Sequence, residues 1–263
     1  MPAPAAPPPA ASRPKIDFSR PDRRPVVPPA PAASSPAAAD PLDLSSRPAA
    51  ASPSVPASAA AAPPTPRGPA LTRRQDRRVG GREQILLSVK EPTVTLTRVQ
   101  SAVGHLTIEA VCSAEVGDLR LGAVYQFRSG GTSTVQHAGG NRFAPSSRRP
   151  VIVAGSEEYE RLSVDLRQIR DIERISVYAF SESRTPLVWG GTLVLDTFGG
   201  GRLELPLETL YQSTVAVLLS LYNLDGELVI RAEMESIVGD VREAARAYGY
   251  DRIAWRDDRS PVD

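Results

Sequence analysis

The sequence predicts an all-β protein, a β-sandwich with short helices, preceded by a disordered Pro/Ala-rich N-terminal tail. Three observations carry that prediction. Composition breaks sharply near residue 80, since residues 1–80 hold 20 of the 26 Pro together with 20 Ala. Beyond the break, apolar residues recur mostly with period two, the period of a half-buried strand. Glycine-bearing turns separate these short runs, as in sandwiches and barrels.

The tail, residues 1–82, contains one aromatic residue, Phe18, and its first 80 positions carry 11 Lys/Arg against 5 Asp, a net +6. A Pro/Ala segment buries too little apolar surface to offset the entropy of ordering it. Its prolines favour extended, semi-stiff stretches. Two short clusters stand out within it. Ile16-Asp17-Phe18-Ser19-Arg20-Pro21 resembles Leu42-Asp43-Leu44-Ser45-Ser46-Arg47-Pro48. Both read apolar-Asp-apolar-Ser followed by Arg-Pro, the pattern of a repeated docking motif with apolar anchors and a charge contact. Arg73, Arg74, Arg77 and Arg78 form a basic knot before the fold. It suits a solvated linker end, or a peripheral contact with a partner or a membrane surface.

The remaining 183 residues, 81–263, carry 20 Lys/Arg against 25 Asp/Glu, a net −5. An acidic domain argues against a folded nucleic-acid-binding face. No apolar run is long enough for a transmembrane helix, and the Pro-Ala opening lacks the charged and apolar regions of a signal peptide. The single cysteine, Cys112, lies in an apolar strand-like run. It suits a reduced core thiol, and with it a cytoplasmic location.

The domain, residues 83–263, opens with the alternating run Thr93-Val94-Thr95-Leu96-Thr97. Further strands are expected over 105–112, 119–125, 151–153, 162–166, 175–180 and 192–195. The last pair, 214–222 and 228–234, flanks Asn223-Leu224-Asp225-Gly226, where Asp-Gly signals a hairpin because Gly accepts a positive φ. Residues 166–172 fit a single helical turn. Asp240 and Glu243 have capping-box spacing ahead of Ala244, Ala245 and Ala247, and Gly249 can end that helix.

Catalytic patterns are scarce. There are two histidines, His105 in a strand and His137 in a polar turn. His137 is the one plausible base, and no G-x-S-x-G elbow accompanies it. No P-loop, dinucleotide fingerprint, HExxH or EF-hand loop is present, and Gly199-Gly200-Gly201 reads as a turn. The expectation is therefore a protein that is not an enzyme. Acidic loops remain as candidate metal sites. Asp118 opens a strand, and Glu157, Glu158 and Glu160 follow Gly155-Ser156. Calcium draws several carboxylates and carbonyls from flexible loops, so two acidic loops on one sandwich edge could hold it.

Taken in order, several segments resemble the bacterial tellurium-resistance stress-response family of the TerA/TerD type over about residues 84–258. They are Pro92-Thr93-Val94-Thr95-Leu96-Thr97, Gly117-Asp118-Leu119-Arg120-Leu121-Gly122-Ala123-Val124-Tyr125 and Val135-Gln136-His137-Ala138-Gly139-Gly140-Asn141-Arg142-Phe143. Val164-Asp165-Leu166 followed by Ile172-Glu173-Arg174-Ile175, then Trp189, and Tyr248-Gly249-Tyr250 with Trp255 complete the match. The resemblance implies a calcium-binding β-sandwich without known catalysis, cytoplasmic, acting as an interaction module among other stress-response proteins. On it, the calcium candidates are Asp118, Glu157, Glu158 and Glu160. Arg120 departs from the family, standing where a second strand Asp is usual, and the acidic loop is short. Arg120 could pair with Glu157 or Glu158 and turn the site into a metal-free scaffold. The rival class is a hydrolytic or carbohydrate-binding sandwich, motivated by Tyr125, Tyr178, Trp189 and Trp255.

Overall fold

Thirteen strands pair into two sheets in the computed structural model, which describes residues 77–262. In chain order they are β1 (Gln84–Leu86), β2 (Thr93–Thr95), β3 (His105–Val111), β4 (Leu119–Phe127), β5 (Thr132–Gln136), β6 (Phe143–Ala144) and β7 (Ile152–Ser156). There follow β8 (Glu160–Asp165), β9 (Ile172–Ser181), β10 (Thr192–Asp196), β11 (Arg202–Pro206), β12 (Val215–Leu224) and β13 (Glu227–Ile237). One sheet runs β1-β11-β10-β3-β8-β7-β6 and the other β2-β13-β12-β9-β4-β5. The protein is an all-β sandwich, as its alternating runs predict. The tail motifs at 16–21 and 42–48, with Arg73 and Arg74, lie outside the described residues.

Alternation sets which side chains meet between the sheets. Along β3, Leu106, Ile108 and Ala110 point inward against Leu162 and Val164 of β8 and Leu193 and Leu195 of β10. Leu119, Leu121, Ala123, Tyr125 and Phe127 of β4 face the same core from the other sheet. Each buried Leu or Ile contributes roughly 1.5–3 kcal/mol of hydrophobic stabilisation, so these stripes dominate the fold energetics.

The second sheet is buried on both faces. Its outer side packs Val124, Tyr178, Phe180, Val215 and Val217 against Val241, Ala244, Ala245, Tyr248 and Tyr250 of the C-terminal segment. Double coverage explains why β12 reads as a nearly unbroken apolar run, and why β9 is buried on both faces from Ile175 to Ser181. The covering element is α1 (Val241–Ala247). Asp240 accepts from the Val241 N–H and forms the expected capping box with Glu243, and Gly249 follows with φ 74°.

The β12–β13 hairpin closes with Asp225 at φ 52° and Gly226 at φ 84°, the two positive values of a type I′ turn. Residues 166–171 make a 3-10 turn that Asp165 caps by accepting from the Arg167 N–H. Several features differ from the sequence expectation, which placed no strand at β1, β5 or β6. The strand β5 is Thr- and Ser-rich with one valine, so its periodicity is too weak to read. The fold also begins before residue 83. Val79 is fully buried, Arg78 bridges Thr95 of β2 and ion-pairs with Glu227, and Arg77 pairs with Glu91. These two arginines belong to the domain rather than to a solvated linker end.

Candidate functional site

Asp118 precedes β4, beside the last residue of β9, because Leu119 pairs with Ser181. Its carboxylate accepts from Ser181 Oγ at 2.8 Å and from the Ser183 N–H at 2.5 Å. Partial burial pushes the Asp118 carboxyl up, but the hydrogen bonds from Ser181 and Ser183 outweigh it and hold it below its ordinary value. Asp118 thus fastens the turn that leaves β9.

Glu160 opens β8 in the opposite sheet, and its side chain is 7% exposed. One oxygen accepts from the Leu121 N–H at 3.1 Å, the other from Arg120 Nη1 at 3.1 Å. The pairing of β5 with β4 ends at Gly122, so Leu121 lies one residue beyond the ladder on that edge. Glu160 satisfies a backbone donor that would otherwise be buried without a partner. Arg120 alternates away from the core residues Leu119 and Leu121, yet its guanidinium curls to this edge. It also holds Glu182 at 2.6 Å. Its chief partners are Glu160 and Glu182, rather than Glu157 or Glu158.

Glu157 and Glu158 sit in the β7–β8 turn. Glu157 is 78% exposed and lies 3.5 Å from Arg161, which also binds Glu109 at 2.6 Å. Glu158 faces Tyr159, whose hydroxyl it holds above its ordinary pKa. The structure therefore gathers Asp118, Arg120, Glu160 and Glu182 at one edge and leaves Glu157 and Glu158 on the rim. Among the described residues, no three His, Cys, Asp or Glu side chains form a group that could hold a metal ion. Calcium wants roughly six to eight oxygens. Here the Glu160 oxygens already serve Leu121 and Arg120, and a guanidinium stands among the carboxylates. Both Glu160 oxygens therefore have protein donors of their own.

Glu182 and the two serines were not legible as site residues. Ser181 ends the apolar run of β9, and no local pattern ties it to Asp118, 63 residues earlier in the chain.

The other candidates sit apart from this edge. His105 is exposed at the start of β3, and His137 lies in the turn after β5, where Gly139 and Gly140 take φ of 83° and 89°. Tyr125, Tyr178 and Trp189 are buried, with Tyr178 donating to Gln136 Oε1 and Trp189 Nε1 to Ser213 Oγ. Trp255 is half-buried against the outer layer. These aromatics pack within the fold instead of forming a flat exposed platform. Cys112 leans on the main core, and burial, with Glu208 nearby, pushes its thiol up to about 11. Such a thiol is a poor nucleophile at neutral pH.

No protein-family model matches the chain, and no curated protein matches it significantly.

Proposed function

We propose that this domain is a non-enzymatic interaction module of the tellurium-resistance stress-response type, working as a metal-free scaffold. The observation that carries it is the placement of Arg120, whose guanidinium meets both Glu160 and Glu182. An internal cation takes the part that a bound ion plays in the family the sequence resembles. Asp118 supports the same reading, because its oxygens serve the turn at Ser181 and Ser183. Surface ion pairs contribute little, but Glu160 is buried. Removing its partner would leave a desolvated carboxylate.

Calcium titration of the full chain tests this directly. Calorimetry is expected to give no binding heat from micromolar to millimolar calcium, and chelator is expected to leave the melting temperature unchanged. Saturable calcium binding in the micromolar range, with a rise in melting temperature, would overturn the metal-free assignment. The stress-response role is tested by deleting the gene and challenging cells with tellurite and oxidants. Unaltered survival under every challenge would count against it.

A further inference from the structure

At the end of the sandwich where the β6–β7 loop, the end of β4 and the 3-10 turn at 166–171 meet, two hollows adjoin across shared lining residues, and together they are called the groove. Their volumes are about 410 and 480 Å³, and Arg149, Val151 and Gln168 line both. The walls carry five arginines, Arg128, Arg148, Arg149, Arg167 and Arg170, against two aspartates, Asp165 and Asp171. Asp165 is already committed, since Arg167 grips it through Nε at 2.8 Å and Nη2 at 3.0 Å. Arg148, Arg149 and Arg170 are exposed and make no ion pair among the described residues.

The groove is held open by its own bonding. Gln168 Nε2 donates to the Pro150 carbonyl at 3.2 Å and to Asp165 at 3.0 Å, joining the loop to the turn. The Asp165 N–H donates to the Val151 carbonyl, and the Arg128 N–H to the Asp171 carbonyl. Arg128 is partly engaged as well, its Nη2 donating to the Asn223 carbonyl at 3.0 Å. Guanidinium groups set on two separate segments of such a frame, the β6–β7 loop and the 3-10 turn, recognise anionic oxygens with little reorganisation.

Charge distribution limits the size of the ligand. Residues 77–262 hold 22 Lys/Arg and 24 Asp/Glu, of which five and two line the groove. The rest of the domain therefore carries 17 against 22, a net −5, while the groove itself is net +3. A nucleic acid or membrane surface extending far past the groove would meet a domain that is net acidic elsewhere. A ligand confined to the groove would not, and the field of a basic cleft would concentrate it there. It must also present several negative centres, because the arginines are spread over both hollows.

We propose that this groove binds a small linear polyphosphate, either inorganic triphosphate or the triphosphate tail of a nucleotide. Its phosphoryl groups lie along Arg148, Arg149 and Arg170, over the apolar floor of Pro145 and Val151. The site is independent of the Arg120 edge and of the function proposed above.

The test titrates the full chain with sodium triphosphate and, separately, with adenosine triphosphate, by calorimetry at low ionic strength. The wild type is expected to bind one equivalent of at least one of them, more weakly as salt rises. Arg149→Glu with Arg170→Glu is expected to lose about tenfold or more in affinity. Arg246→Glu, an exposed arginine on α1, is the control and is expected to bind as the wild type does. If the glutamate pair fails to fold, Arg149→Gln with Arg170→Gln answers the same question. Tighter binding of the nucleotide than of triphosphate would support the groove with its apolar floor engaged, and equal binding would support it with phosphoryl contacts alone. The proposal is overturned if neither anion binds, if the groove variants bind unchanged, or if Arg246→Glu loses as much. Groove-dependent binding of RNA or anionic vesicles without binding of either anion would also overturn it.

Discussion

Individual residues in this domain are fixed as much by what they exclude as by what they bond. Gly122 stands directly across the ladder from Tyr178, and a Cβ built at Gly122 would approach the Tyr178 ring within 2.6 Å. That ring is fully buried and its hydroxyl donates to Gln136 at 2.7 Å, so it has nowhere to withdraw. Gly122→Ala is therefore expected to cost about 1–3 kcal/mol through overpacking, read as a lower urea midpoint with an unchanged slope. An unchanged midpoint would mean that Tyr178 can be displaced freely. The same logic of occupancy governs Arg120. Its place among carboxylates is a matter of one side chain, and it changes what the whole edge can bind.

Elements carry the next level of specificity, and α1 is the clearest case. Seven residues make a helix too short to persist alone in water. It forms because Asp240 caps its first turn, Glu243 reaches back to the Asp240 N–H at 3.1 Å, and its apolar face covers Tyr178 and Phe180. Asp240 has a second duty, accepting from Arg259 Nε at 2.8 Å through both oxygens, while Arg259 lies over the Phe180 ring. Both side chains of that pair are 13% exposed. Asp240→Ala thus removes a cap and leaves a largely buried guanidinium unpaired, and is expected to cost roughly 2–4 kcal/mol. A double-mutant cycle with Arg259→Met separates the two contributions. If Asp240→Ala costs no more than an exposed cap, about 1 kcal/mol, the pair with Arg259 contributes nothing.

At the scale of the whole molecule, the apolar core holds the sheets together and a few carboxylates tie its strand ends to the turns beside them. Asp118 fastens the exit of β9, and Asp165 joins the end of β8 to the turn that follows. Arg167 holds the Asp165 carboxyl down to about 2, helped by Gln168 against the opposing effect of burial. A carboxyl with a lower pKa in the folded chain than in the unfolded one stabilises the fold fully above its ordinary value. That contribution is lost as pH falls through the folded value. For Asp165 the window runs from about 4 down to about 2, and Asp118 loses its share in the acid range as well. The melting temperature of the wild type is expected to fall steeply across that window. Asp165→Asn is expected to be less stable at neutral pH and flatter below about pH 4. Parallel acid profiles for the two proteins would show that the Arg167 pair does not drive acid unfolding.

The sequence by itself determined the fold class, most strand positions, the Asp225-Gly226 hairpin and the capped helix at 240–249. Each rests on local chemistry: period-two burial, a positive φ that Gly accepts, or a side chain reaching the next turn. It also singled out Asp118 and Glu160, with Glu157 and Glu158, as candidate metal ligands. Only the tertiary structure decided their partners. Arg120, Glu160 and Glu182 come from β4, β8 and the turn after β9, and the Leu121 N–H needs Glu160 because β5 stops one residue short. Strand length and sheet order set that coincidence, and neither is written in any short stretch of sequence. The arginine groove has the same origin. Arg148, Arg149 and Arg170 are ordinary surface charges in the chain, and come to line neighbouring hollows because the β6–β7 loop and the 3-10 turn meet at one end of the sandwich.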